Sequence, residues 1–371
     1  MASARAHTHL LIIVFSFLSC LLSCNCLCAA SELRDGFGKV KGLFVFGDSL
    51  VDNGNNNFLQ TLAKVNYTPY GIDFPLGPTG RFTNGKNLID LLGDRLRLPL
   101  IPPFNDPATK GNEILHGVDY ASGSSGILDD TGVALAGQVI NLNQQVKNFI
   151  EVTLPDLEAK LGCSSHQLLA NYLIIFNTGG NDYIQNYFRR DPHSINATSL
   201  EDFTDTLINS LYHHIKKIYE LGGRKFVLNA IYPSGCVPVI LASQSRGQCS
   251  DIQNHAARLF NHRLKQLVDT ARSHLPGSVL VFFNSYRIVL DIINNPSSRG
   301  FIDARNPCCE VMGQGIVCKR GGGVCRNRSS YVFFDGIHST EAVNVVLADK
   351  AYSSDAKSQV YPINIHQLAL I

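Results

Sequence analysis

An α/β fold, with an open and mostly parallel sheet covered by helices on both faces, is what the sequence predicts. Three observations point to it. Short apolar runs the length of buried strands recur at residues 43–46, 117–121, 172–176, 225–229 and 279–283. Helical stretches separate them, at 85–96, 138–150, 200–221 and 252–275, and such alternation implies parallel pairing. The first three runs each end in a turn of glycines and small polar residues.

Taken in order, Leu-Phe-Val-Phe at 43–46 is followed by Gly47-Asp48-Ser49 and then by Asn53 and Asn55, Asn56 and Asn57. As a plain loop this suits residues that tolerate left-handed backbone and bond locally. The sharper expectation is a tight strand-to-helix turn that presents Ser49 as a nucleophile. The run at 117–121 leads into Ser122-Gly123-Ser124-Ser125-Gly126, and the run at 172–176 into Thr178-Gly179-Gly180-Asn181-Asp182. In 200–221, Phe203, Leu207, Leu211, Ile215 and Ile218 fall at spacings of four, four, four and three, one apolar stripe of an amphipathic helix. Near the C-terminus, residues 331–334 precede Asp335-Gly336-Ile337-His338, with a helix expected from Thr340-Glu341.

The chain has 371 residues, 32 basic and 30 acidic, and a formal charge of +2. That balance gives neither a nucleic-acid footprint nor a polybasic membrane patch. Residues 1–30 have the layout of a secretory signal peptide: Arg5, an apolar run at 10–22, and Cys28-Ala29-Ala30 as a small-residue cleavage site. The apolar run is shorter than the ~18–20 residues a bilayer span needs. Residues 31–371 show no Pro/Ser-rich linker or internal repeat and read as one domain.

Setting aside Cys20, Cys24, Cys26 and Cys28 leaves Cys163, Cys236, Cys249, Cys308, Cys309, Cys318 and Cys325. In an oxidising compartment these allow up to three disulfides and one leftover thiol, with Cys236–Cys249 one candidate pair and local bridges within 308–325 another. The latter cluster lacks the C-x₂-C spacing of a zinc site, and the glycines at 321–323 lack the spacing of a phosphate loop. Sequons at Asn66, Asn196 and Asn327 fit a glycosylated secreted chain.

In open α/β sheets ligands bind beyond the carboxyl ends of the strands, where the three glycine-rich turns converge. A serine hydroxyl is a poor nucleophile unless a base is held beside it. An Asp three residues before a His can accept a hydrogen bond from the imidazole and aim its other nitrogen at Ser49. Each residue alone has a plainer reading: Ser49 as a helix N-cap, Gly123 and Gly126 as turn residues, Asn181 as a cap, His338 as one of twelve histidines. Their placement at strand ends is what singles them out. No H-E-x-x-H or G-x-S-x-G motif occurs.

These segments resemble, in order and over nearly all of residues 31–371, the conserved blocks of the plant GDSL-type esterase/lipases of the SGNH hydrolase superfamily. The matching segments are 46–52 (Phe-Gly-Asp-Ser-Leu-Val-Asp), 117–123, 179–182 and 335–338; the chain departs from the pattern at Asp119, where Asn is common, and Ser339, where Pro is common. The resemblance implies a three-layer α/β/α sandwich of flavodoxin-like type around a five-stranded sheet. It implies Ser49 as nucleophile, His338 as general base and Asp335 as its orienting partner, with an oxyanion hole from the Ser49 and Gly123 N–H groups and the Asn181 side chain. The substrate would be an acyl ester, of lipid, cutin-type or acetylated-polysaccharide kind, cleaved outside the cell (apoplast or wall) without a metal or organic cofactor. Two other outcomes stay open: an acyltransferase passing the same acyl-enzyme to an alcohol, and a non-catalytic wall-binding protein.

Overall fold

In the computed structural model, which describes residues 40–189, 198–245, 247–313 and 315–371, the five apolar runs form adjacent parallel strands. They are β1 (Gly42–Gly47), β2 (Gly117–Asp119), β3 (Tyr172–Asn177), β4 (Lys225–Asn229) and β5 (Val279–Phe283). Their order is β2-β1-β3-β4-β5, with registers such as Leu43 opposite Leu173 and Val227 opposite Val281.

Side chains alternate across each strand, and both faces are buried. Phe44, Phe46, Ile174, Phe176, Phe226 and Leu228 point into one apolar layer. Leu43, Val45, Leu173, Ile175 and Val227 point into the other. A sheet covered on both sides needs apolar residues at every position, so its strands read as unbroken hydrophobic runs.

The first layer is covered by α2 (Leu142–Asn148), α3 (Leu200–Glu220) and α4 (Asp251–His274). The stripe Phe203, Leu207, Leu211, Ile215, Ile218 is the buried face of α3, and the Ser199 hydroxyl caps this helix by accepting the Asp202 N–H at 3.0 Å. The second layer is covered by α1 (Leu88–Leu96), α5 (Ser285–Asn294), α6 (Glu341–Ser353) and α7 (Ile365–Leu370). Asn87 and Asp90 close α1 with a reciprocal capping box. The three-layer α/β/α architecture is therefore as expected.

Three details differ from expectation. A sixth strand, β8 (Val360–Tyr361), pairs antiparallel with the outer edge of β5; at two residues it leaves no periodic trace in sequence. β6 (Asp303–Pro307) and β7 (Tyr331–Phe333) form a separate two-stranded ribbon. The helix expected at 138–150 begins at Leu142, capped by Asn141, and runs on through a π-helical turn at Phe149–Thr153 into Leu154–Leu161.

Disulfides join Cys236 to Cys249, Cys308 to Cys325 and Cys309 to Cys318. Cys163 is disulfide-bonded as well, which corrects the expectation of a leftover thiol. Among the described residues no helix is long and apolar enough to cross a membrane. Asn66 and Asn327 are exposed; the leader at 1–30 and the Asn196 sequon lie outside the described residues.

Candidate active site

Because β1 lies between β2 and β3, the chain leaves it for opposite sides of the sheet, and a crevice opens beyond the strand ends at that point. Ser49 stands there, two residues past β1. The turn is not the expected strand-to-helix turn. Asp48 Oδ1 accepts the Leu50 N–H at 3.1 Å, and Asp52 Oδ1 accepts the N–H groups of Gly54 and Asn55, each at 2.7 Å. These side chains offer the backbone partners that a helix would otherwise supply, and after β1 no α-helix begins before Leu88.

Ser49 Oγ lies 2.8 Å from His338 Nε2. Behind the imidazole, Nδ1 is 2.8 Å from Asp335 Oδ2 and 2.9 Å from Oδ1. That carboxylate is fully buried, and it also accepts the N–H groups of Ile337 and His338 at 2.9 and 2.7 Å. Its Oδ2 takes a 2.6 Å hydrogen bond from Tyr70 Oη, which in turn accepts the Cys318 N–H at 3.0 Å. Burial, reinforced by the Asp335 charge, holds the Tyr70 phenol well above its usual titration range. The Phe82 ring lies 4.9 Å from the imidazole, centre to centre. Hydroxyl, imidazole and carboxylate are thus in series, an arrangement that can take a proton from the hydroxyl and stabilise the resulting cation.

Asn181 lines the same crevice as Ser49. Its Nδ2 spends one hydrogen on the Ser125 carbonyl at 2.9 Å, and its Oδ1 accepts Gln185 Nε2 at 2.8 Å. Gln185 therefore fixes which way the amide faces, and among the described residues the second Nδ2 hydrogen is unspent.

Gly123 does not fit the role expected of it. It is buried, and its N–H is spent on Asp52 Oδ2 at 2.9 Å. Its carbonyl accepts Asn56 Nδ2 at 3.0 Å. A side chain there would collide with Phe82 and Asn56, at 2.5 and 2.8 Å, so this glycine answers to packing. The neighbouring Ser124 is half-buried, has φ +71°, and lines the crevice with Ser49, Asn181 and His338. Among the described residues neither the Ser124 nor the Ser49 N–H has a hydrogen-bond acceptor. Ser124 Oγ donates to Gln185 Oε1 at 2.9 Å, so Gln185 touches Ser124 and Asn181 at once.

The asparagine-rich segment is a buttress for this loop. Asn55 Nδ2 donates to the carbonyls of Asp119 and Ala121 at 2.9 and 2.8 Å. Asn56 Oδ1 accepts Ser122 Oγ at 2.6 Å, and the Asn53 N–H donates to Asp119 Oδ2 at 2.6 Å. Asn57 reaches back to the Thr79 carbonyl at 2.8 Å. Burial raises the Asp52 carboxyl to about 6 and the Asp48 carboxyl to about 7. Asp182, raised to about 6 by burial, holds the far end of the loop through the N–H groups of Ile127 and Leu128.

Tyr70 and Gln185 carried no signal as site residues, and Ser124 stood out only as one member of the turn after β2. Tyr70 and Gln185 belong to no motif, and only a positive φ marks Ser124.

Comparison with known proteins gives a consistent picture. The sequence profile of the family described as GDSL-like Lipase/Acylhydrolase matches residues 43–351. The GDSL esterase/lipase At1g71250 of Arabidopsis thaliana is 40% identical over 350 residues, covering 92% of each chain. The GDSL esterase/lipase At4g16230 of the same plant is 43% identical over 340 residues, covering 89% of this chain and 91% of its own. A third, GDSL esterase/lipase 7, is 39% identical over 350 residues, 91% and 94% of the two chains.

Proposed function

The chain belongs to the GDSL-like lipase/acylhydrolase family and is a carboxylic ester hydrolase, and we propose that it works through an acyl-enzyme on Ser49. The observation that carries the mechanism is the 2.8 Å contact between Ser49 Oγ and His338 Nε2, backed by the buried Asp335.

As Ser49 Oγ attacks the ester carbonyl carbon, its proton passes to His338 Nε2, and Asp335 stabilises the imidazolium. The carbonyl oxygen gains negative charge and is met by the N–H groups of Ser49 and Ser124 and by the Asn181 side chain. Ser124 takes the place first expected of Gly123, whose N–H is committed to Asp52. Such donors are set before the reaction begins, so they stabilise developing charge without reorganising. His338 then gives its proton to the departing alkoxide, and the acyl group stays on Ser49. A water, deprotonated by the same imidazole, releases the acid.

Secretion belongs to this reading. The leader pattern at 1–30, the disulfides and the exposed sequons at Asn66 and Asn327 support an oxidising, extracellular setting.

The deciding experiment uses purified protein and p-nitrophenyl esters. The parent is expected to hydrolyse them and to lose activity on stoichiometric labelling by an alkyl phosphonate. Ser49→Ala should remove both the labelling and the hydrolysis, with at least ~10⁴-fold loss in turnover. Activity that survives this substitution would overturn the mechanism.

A further inference from the structure

Two cavities of unequal size meet at Ser49. The smaller, about 50 Å³, is walled by Leu50, Ile184, Ile231 and Val237 and includes Asn181 but not His338. The larger, about 210 Å³, is bordered by His338, Phe82 and Ser124 and runs out past Leu62, Leu135 and Ile316. Those last three side chains are 82, 39 and 39% exposed, so the larger cavity opens on an apolar rim.

The chemistry of ester cleavage tells the cavities apart. The alkoxide oxygen must depart within reach of the proton on His338 Nε2, which places the alcohol half of the ester in the larger cavity; the other space bordered by Ser49 and His338, about 10 Å³, is too small to take it. The acyl substituent sits on the other side of the same carbonyl carbon and faces the smaller cavity. That cavity has about a quarter of the volume of the larger one, so it takes the shorter of the two substituents.

Resting on the acyl-enzyme reading above, we infer that the enzyme prefers esters of short acyl groups with bulky apolar alcohols. Ile231 and Val237 limit the acyl length, and Leu62 and Ile316 hold the alcohol. Both limiting residues are buried, at 7 and 3% exposure, so their walls are fixed by packing from behind.

The test is a crossed panel of acetate, butyrate, octanoate and palmitate esters of ethanol and of 2-naphthol, read as kcat/KM. Acetate and butyrate are expected to exceed octanoate by about ten-fold or more, since a mismatch of a few methylenes against an apolar wall is worth that much. Naphthyl acetate should exceed ethyl acetate through KM. Ile231→Ala and Val237→Ala are expected to move the acyl optimum to longer chains, and Leu62→Ser with Ile316→Ser to raise KM for the naphthyl esters. Palmitate cleaved as fast as acetate by the parent would overturn the assignment, as would an acyl preference unmoved in both folded alanine variants. A parent that takes the phosphonate label but prefers long chains refutes the cavity assignment alone. A parent that neither takes the label nor cleaves any ester refutes the acyl-enzyme reading, and this inference with it.

Discussion

Tyr70 Oη donates a 2.6 Å hydrogen bond to Asp335 Oδ2, joining residues 265 positions apart. The phenol faces the oxygen that is also 2.8 Å from His338 Nδ1, so it helps to set where the carboxylate, and hence the imidazole, points. Tyr70→Phe keeps the ring and deletes only this contact and the acceptor for the Cys318 N–H. A hydrogen bond to a charged group contributes about 1.5–3 kcal/mol, so kcat is expected to fall about ten-fold or more with little change in KM. Steady-state kinetics on a p-nitrophenyl ester check this, and an unchanged kcat would show that the triad is held without Tyr70.

Gln185 bridges Ser124 Oγ and Asn181 Oδ1. Asn181→Ala deletes a proposed donor to the developing oxyanion and is expected to lower kcat by ~10²–10³. Gln185→Leu leaves the donor in place but frees the Asn181 amide to turn, with an expected loss in kcat of about ten-fold. The double variant should lose little more than Asn181→Ala alone, because Gln185 acts through Asn181. Additive losses in the double-mutant cycle would contradict that dependence.

Gly123 and Ser124 are adjacent, yet they should respond in opposite ways. Ser124 has φ +71°, where a side chain costs roughly 1–2 kcal/mol. Ser124→Gly relieves that cost and forfeits the contact with Gln185, so melting temperature and kcat are both expected to stay close to the parent's. Gly123→Ala forces a methyl group against Phe82, which itself packs on His338. Overpacking of this kind costs about 1–3 kcal/mol, and kcat should drop with stability. Thermal melts beside activity assays decide it; a neutral Gly123→Ala would mean that the loop gives way without harm.

Asp48 gives the structure a stability that depends on pH. Burial raises its carboxyl to about 7 from a reference of 3.8, so the folded state keeps a proton that the unfolded state releases. The contribution of this group is full below about 4 and is lost as pH rises through about 7. Asp48→Asn cannot ionise. Its melting temperature relative to the parent is therefore expected to rise from pH 5 to pH 8, by differential scanning fluorimetry in matched buffers. A constant difference across that range would show that Asp48 titrates as an ordinary carboxylate.

The sheet was readable because it is buried on both faces: strands such as Lys225–Asn229 and Val279–Phe283 fall where the apolar runs do. Val360–Tyr361 was not readable, since two residues at an edge carry no pattern. Ser49, Asp335 and His338 could be picked out because a hydroxyl, a carboxylate and an imidazole lie at strand ends in short recognisable segments. The proposed shift of the oxyanion donor from Gly123 to Ser124 could not be read from the sequence. Glycine there signals a crowded backbone, whereas the available N–H belongs to the serine beside it, and a conformation such as φ +71° is not written in residue type. Tyr70 and Gln185 act through single contacts across the fold, which no local spacing announces.

The hydrogen bond between Ser49 and His338 spans 289 positions of the chain. Polypeptides are made from the N-terminus at about 5–20 residues per second, so Ser49 leaves the ribosome long before Asp335 and His338 exist. Throughout that interval the hydroxyl lacks the base proposed for it, and on that reading an unfinished chain meets cellular esters as an unreactive alcohol. On the proposed mechanism, activity is gained only once His338 has been made, and any fragment broken off before residue 335 is silent from birth.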